Sequence, residues 1–211
     1  MEIREIVEDK YYKQIIDELR KEYGVKKKGD TYMSEERLNQ TYNKYKNSEL
    51  KLVGLFDERE LTAFSSYQIT PEGLYGGDIL VFSNYRGNGY GSVIVNYLLK
   101  LAENNGCKQM YFGARRSANA FYYKLGFDGV CLIQSSVASK EDIESILNKH
   151  KIENWEYNLY QNTVHQFRID ARFINNQELV NDLDNTELDI GCILTFSKST
   201  SKQQLENNIK K

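Results

Sequence analysis

An apolar strand-like run, Ile79, Leu80, Val81 and Phe82, leads into Arg86, Gly87, Asn88, Gly89, Tyr90 and Gly91, and Ser92 then opens a segment rich in Val, Ile and Leu. Glycine lets the main chain take positive φ and lets a ligand come close to it. The first N–H groups of a helix lack internal partners and sit at the positive end of its dipole. Together these features suit a pyrophosphate. Two common phosphate sites fit poorly. A P-loop needs a Lys directly after its last glycine, whereas Ser92 follows Gly91 here. A dinucleotide fingerprint reads G-x-G-x-x-G on a first strand, whereas this turn reads G-x-G-x-G in mid-chain. A strand–helix turn that binds nothing is the bland reading, and three glycines behind an arginine argue against it.

The elements that position this turn follow from periodicity. Residues 2–7 alternate as a strand. Tyr12, Ile15, Ile16, Leu19 and Tyr23 recur at helical spacing before Gly24, and Ser34 can cap a second helix carrying Leu38, Tyr42 and Tyr45. Residues 50–56 and 60–69 read as a hairpin, 71–77 as a turn-rich loop, and 78–82 as the strand before the glycines. A helix over 92–104, a strand over 109–112, a helix over 117–124 and a strand over 129–136 complete a mixed α/β (α+β) sheet unit. Beyond it, Ser139 can cap a helix to about His150. Strands are predicted over 155–161, 164–173 and 188–196, with a short helix over 175–184. The segment 129–197 thus has the βαββαβ order of a ferredoxin-like unit.

Arg86, Gly89 and Gly91 also match the coenzyme A pyrophosphate loop, Arg/Gln-x-x-Gly-x-Gly/Ala. One βα unit later stand Ala118, Tyr122, Lys124, Gly126 and Phe127, spaced as Ala-x-x-x-Tyr-x-Lys-x-Gly-Phe. In both motifs and in element order, residues 2–136 resemble the GNAT superfamily of acyl-CoA N-acyltransferases. The resemblance implies acetyl-CoA as co-substrate and no metal. It implies that the backbone of Ile79, Leu80 and Val81 pairs with the pantetheine arm like an added strand. An amide near Val81 would polarise the thioester carbonyl, and amides from Gly87 through Asn88, Gly89, Tyr90 and Gly91 to Ser92 would hold the pyrophosphate. Tyr122 is the implied acid for the leaving thiolate, with a packing role as its competitor. Asp78 is the first candidate base and Glu72 the second, and a cap or salt bridge is the other reading of Asp78. Where many relatives place an Asn against the cofactor, Arg115 stands here. Arg115 or Arg116 is expected at the 3′-phosphate or in solvent.

Hydrophobic residues at 40% and charged residues at 27% describe a water-soluble chain with enough apolar surface for a core. A net charge of −2 argues against a dedicated nucleic-acid binder, including an enzyme acting on aminoacyl-tRNA. No apolar run reaches membrane-span length, and residues 1–10 lack a signal-peptide core, so the expected location is the cytoplasm. Cys107, Cys131 and Cys192 are far apart and read as reduced thiols. The expected organisation is an acyltransferase domain over 1–136, an α+β extension over 137–197 that completes a sheet or forms a homodimer contact, and a polar tail over 198–211. The expected function is acetyl transfer to a primary amine of a small molecule or peptide. A non-catalytic acyl-CoA-binding module working through the extension is the alternative.

Overall fold

The structure is a computed structural model that describes residues 1–25, 32–184 and 187–200. Packing divides the chain into two units, Met1–Phe112 with the returning segment from Lys198, and Gly113–Ser197. The boundary expected after residue 136 falls inside the second unit.

The first unit contains β1 (Glu2–Glu5), α1 (Asp9–Tyr23), α2 (Glu35–Lys46), β2 (Lys51–Asp57), β3 (Glu60–Thr70), β4 (Gly73–Val81), α3 (Tyr90–Asn104) and the start of β5 (Gln109–Ala114). Its strands lie in chain order, antiparallel from β1 to β4 and parallel between β4 and β5. β2 and β3 read as nearly continuous buried runs because both their faces are covered. On one face, Ile15, Ile16 and Leu19 of α1 and Leu38 and Tyr45 of α2 pack against Leu52, Phe56, Phe64, Leu80 and Phe82. Alternation turns Val53, Leu55 and Ala63 the other way, and α3 packs on β2, β3 and β4 with Ile94, Val95, Leu98 and Ala102 buried. Ser34 caps α2 as its position predicts, its hydroxyl accepting the Arg37 N–H at 3.2 Å.

One expectation fails in this unit. Residues 71–77 read as a loop, but β4 begins at Gly73 and pairs on both sides, Leu74 lying opposite Ile69 of β3 and Met110 of β5. The glycines serve close strand approach rather than a loop. A Cβ on Gly77 would stand 2.3 Å from the Ser66 hydroxyl oxygen.

The second unit contains α4 (Asn119–Lys124), β6 (Asp128–Ser135), α5 (Lys140–Lys149), β7 (Glu156–Tyr160), β8 (Val164–Asp170), α6 (Gln177–Asp184) and most of β9 (Gly191–Ser199). Its sheet order is β9-β6-β8-β7 with every neighbour antiparallel, which is the ferredoxin-like order. Ser139 and Asp142 form a capping box at the start of α5. The strand predicted over 164–173 stops at Asp170, whose carboxylate accepts the Arg172 N–H at 2.8 Å and starts a 3-10 turn over Ala171–Asn175. The last strand begins later than predicted, at Gly191, and Asp189 in its approach has φ +46°. The tail expected from residue 198 is still strand at Ser199, and Thr200 is buried. The rest of that tail lies outside the described residues. Among the described residues, no helix is long and apolar enough to cross a membrane.

Candidate active site

The glycine turn is exposed, and its glycines are there for conformation. Gly87 has φ +87° and Gly89 has φ +77°, and a Cβ on either would meet nothing within 4 Å. Gly89 is the N-cap of α3 and has no side chain with which to cap it. The Val93 N–H closes the first helical bond to the Gly89 carbonyl at 3.2 Å. The amides of Tyr90, Gly91 and Ser92 precede that bond and face the end of the helix. The neighbouring side chains brace the turn instead of filling it. Asn88 donates from Nδ2 to the Tyr85 carbonyl at 3.2 Å, and Tyr90 donates its hydroxyl proton to Asp57 at 2.9 Å. Arg86 reaches the Val81 carbonyl with Nε at 3.1 Å and Glu22 of α1 with Nη2 at 2.6 Å. Its guanidinium is therefore a staple between the turn and α1.

β4 is paired to β3 along its length but to β5 only at Leu74, Tyr75 and Gly76. Past Gly76 the ladder to β5 ends while β4 continues to Val81. The Phe82 N–H donates to Thr62 of β3 at 2.9 Å, so strand alternation turns the polar groups of Leu80 to the same side and those of Ile79 and Val81 to the open edge. Of the three residues expected to meet an extended ligand, Ile79 and Val81 thus present the main-chain groups. The bond from Arg86 to the Val81 carbonyl agrees with that direction.

Asp78 lies where β3 and β4 slip past one another, at an irregularity between Ser65 and Tyr67. Its N–H donates to the Ser66 hydroxyl at 2.8 Å, and its Oδ2 accepts the Tyr45 hydroxyl at 2.9 Å. Burial raises the carboxyl above its ordinary range, partly offset by the Tyr45 hydrogen bond and the charge of Arg37. The Tyr45 phenol is pushed well up by burial and by Asp78, so it stays protonated and donates. Glu72 is exposed, and the Thr70 hydroxyl holds its carboxyl below the ordinary range, which suits a base poorly. The hydrogen bonds of Tyr45 and Ser66 to Asp78 were not foreseen from sequence. Tyr45 read as core, which it is, with its hydroxyl aimed at Asp78; nothing in the sequence marks Ser66.

Tyr122 and Arg115 belong to the second unit. Tyr122 is buried on α4 with its ring against Phe121, Phe127 and Phe196, at centroid distances of 5.0, 6.1 and 5.1 Å. Its neighbour Tyr123 turns elsewhere and donates to Asp170 at 2.8 Å, and burial pushes its phenol up to about 12. Arg115 is half-buried. Arg116, expected at a phosphate or in solvent, instead makes a two-pronged ion pair with Asp184 at 2.7 and 2.9 Å. All three cysteines are free thiols.

The sequence model of the Acetyltransferase (GNAT) family matches residues 12–127. Among solved structures, the chain is similar to a GNAT superfamily phosphinothricin acetyltransferase from Sinorhizobium meliloti in complex with AcCoA, at TM-score 0.54 and 12% identity over 97% of this chain and 90% of that one. It is also similar to an aminoglycoside 6′-N-acetyltransferase complexed with coenzyme A, at TM-score 0.51 and 16% identity over 94% of this chain and 97% of that one. At such identities the likeness is one of fold. No curated protein matches the chain.

Proposed function

The chain belongs to the acetyltransferase (GNAT) family, and from that premise we propose that it transfers an acetyl group from acetyl-CoA to the primary amine of a small molecule or peptide. The observation that carries this reading is the uncapped start of α3 beside the open edge of β4. The two together fit a pyrophosphate continued by an extended, amide-bearing arm. The coenzyme bound in both solved neighbours supports the same co-substrate.

Acetyl-CoA supplies the activated thioester, and the chain's own groups handle position and protons. The amides of Tyr90, Gly91 and Ser92 hold the pyrophosphate, and main-chain groups of Ile79 and Val81 hold the arm. Asp78, with its raised carboxyl, takes a proton from the acceptor ammonium, directly or through one water. The neutral amine then attacks the thioester carbonyl, the C–S bond breaks, the Tyr122 hydroxyl protonates the departing thiolate, and the proton that nitrogen sheds on becoming an amide passes through water to restore the Tyr122 hydroxyl.

A thiol-release assay with acetyl-CoA across an amine panel tests the reaction, and Tyr122→Phe tests the acid. Phenylalanine keeps the packing against Phe121, Phe127 and Phe196 and removes only the hydroxyl. The expected result is a fall in kcat of about 100-fold with coenzyme A affinity retained by calorimetry. An undiminished kcat removes Tyr122 from the chemistry. A wild-type chain that binds no coenzyme A removes the reading itself.

A further inference from the structure

The two glycines that shape the coenzyme turn are not fixed by packing of their own. Gly87 and Gly89 have left-handed φ, and a Cβ on either would meet nothing within 4 Å. Glycine gives the main chain its widest conformational freedom, so the shape of the turn has to be set from its flanks. Three flanking side chains reach out of the turn, and each ends on a carboxylate of another element. Tyr85 donates its hydroxyl proton to Glu60, the first residue of β3. Arg86 donates to Glu22 of α1 at 2.6 Å. Tyr90 donates to Asp57, the last residue of β2, at 2.9 Å. Asn88, between the glycines, joins the set by donating to the Tyr85 carbonyl at 3.2 Å. Asp57 and Glu60 face one another across the β2–β3 hairpin, whose tip residues Glu58 and Arg59 have φ +46° and +80°. The hairpin thus brings two carboxylates to the turn. Their hydrogen bonds raise the Tyr90 and Tyr85 phenols above the ordinary range, so both tyrosines stay protonated and donate.

On charge alone, carboxylates beside a site for a polyanion lower its affinity. Their hydrogen bonds give them a second effect of opposite sign. A turn already shaped before the ligand arrives avoids the cost of ordering itself on binding. We propose that Glu22, Asp57 and Glu60 are positioning residues for the coenzyme: by drawing Arg86, Tyr90 and Tyr85 outward, they pre-form the turn whose amides hold the pyrophosphate. They act on the grip of the pyrophosphate and not on the thioester, so their effect belongs to coenzyme binding rather than to the chemical step. This rests on the reading of the turn as a pyrophosphate site.

The test compares two acyl donors on the full chain, acetyl-CoA and S-acetylpantetheine. The second keeps the thioester and the arm and lacks the pyrophosphate. Asp57→Ala and Glu60→Ala remove charge and acceptor together. Asp57→Asn and Glu60→Gln remove the charge and keep an oxygen for the phenol. Each alanine variant is expected to weaken coenzyme A binding in calorimetry, and to lower kcat/KM for acetyl-CoA, by about tenfold, the worth of one hydrogen bond to a charged group. Their kcat at saturation and their kcat/KM for S-acetylpantetheine are expected to match the wild type, which also shows that they fold. The amide variants are expected to recover most of the lost affinity. Tyr90→Phe is expected to cost little further in the Asp57→Ala background, because the two residues share one bond. Charge repulsion alone predicts the opposite sign, tighter coenzyme A binding in the alanine and amide variants alike. Tighter or unchanged coenzyme A binding in the alanine variants, or an equal loss with both donors, overturns the proposal. A wild type that uses the two donors equally well overturns the reading of the turn as a pyrophosphate site.

Discussion

At the residue scale, two demands meet at Asp78. A carboxylate removed from water binds its proton more tightly, which makes it a better base near neutrality and a worse contributor to stability there. The sign follows from linkage. The folded-state value lies above the unfolded one, so the native state holds the extra proton between the two. Stability therefore falls as pH rises through that window, and the cost is complete above the folded value. Asp78→Asn removes the charge and still offers an oxygen to Tyr45. It is expected to lower kcat/KM by about 100-fold or more and to remove the acid limb of the pH–rate profile that Asp78 sets. Its melting temperature at pH 7 is expected to equal or exceed that of the wild type. A pH–rate profile and a melt measured on the same preparation check both. A variant that loses stability at pH 7 and keeps its rate assigns Asp78 to structure alone, as the partner that holds Tyr45.

At the element scale, the start of α3 depends on one conformation. Gly89 sits at φ +77° with open space around its missing Cβ. An alanine there clashes with nothing and pays only for the left-handed backbone, about 1 kcal/mol. Gly89→Ala is expected to lower stability by about that amount in chemical denaturation. It should weaken coenzyme A binding beyond what the stability loss explains, because relieving the strain re-aims the amides of Tyr90, Gly91 and Ser92. Unaltered calorimetric affinity would show that those amides do not hold the ligand. This turn was legible in the sequence because glycine, arginine and helix-start signals are local. So were the caps at Ser34 and Ser139, and the βαββαβ order of the second unit. Residues 71–77 were misread because glycine spacing reports backbone freedom, and only the pairing of Leu74 with Ile69 and Met110 reveals a strand. The link from Tyr45 to Asp78 spans 33 positions. No periodicity encodes it. Arg116 was read as bound for a phosphate or for solvent for the same reason, since its partner Asp184 lies 68 positions away.

At the scale of the whole molecule, the chain leaves the first unit after Phe112, builds the second, and returns at Lys198. Thr200 fixes the return. It is buried, its N–H donates to the Lys108 carbonyl at 2.9 Å, and its single hydroxyl proton is shared between the carbonyls of Cys107 at 2.7 Å and Lys108 at 3.0 Å. These bonds hold the residues just before β5, the strand whose short ladder with β4 leaves the edge open at Ile79 and Val81. Thr200→Val preserves shape and extended-chain preference but leaves the Cys107 carbonyl without its hydroxyl donor, at a cost of about 1–3 kcal/mol. The one tryptophan, Trp155, packs on Phe167 in the second unit, so its fluorescence reports that unit. Amide exchange at Met110 and Phe112 reports the first. Thr200→Val is expected to speed exchange at Met110 and Phe112 more than at Phe167 and Ile169, while Thr200→Ser, which keeps the hydroxyl, stays close to the wild type. Equal protection of Met110 and Phe112 in wild type and Thr200→Val would mean that the return segment does not hold β5, and the open edge of β4 would then have to be maintained by β3 alone.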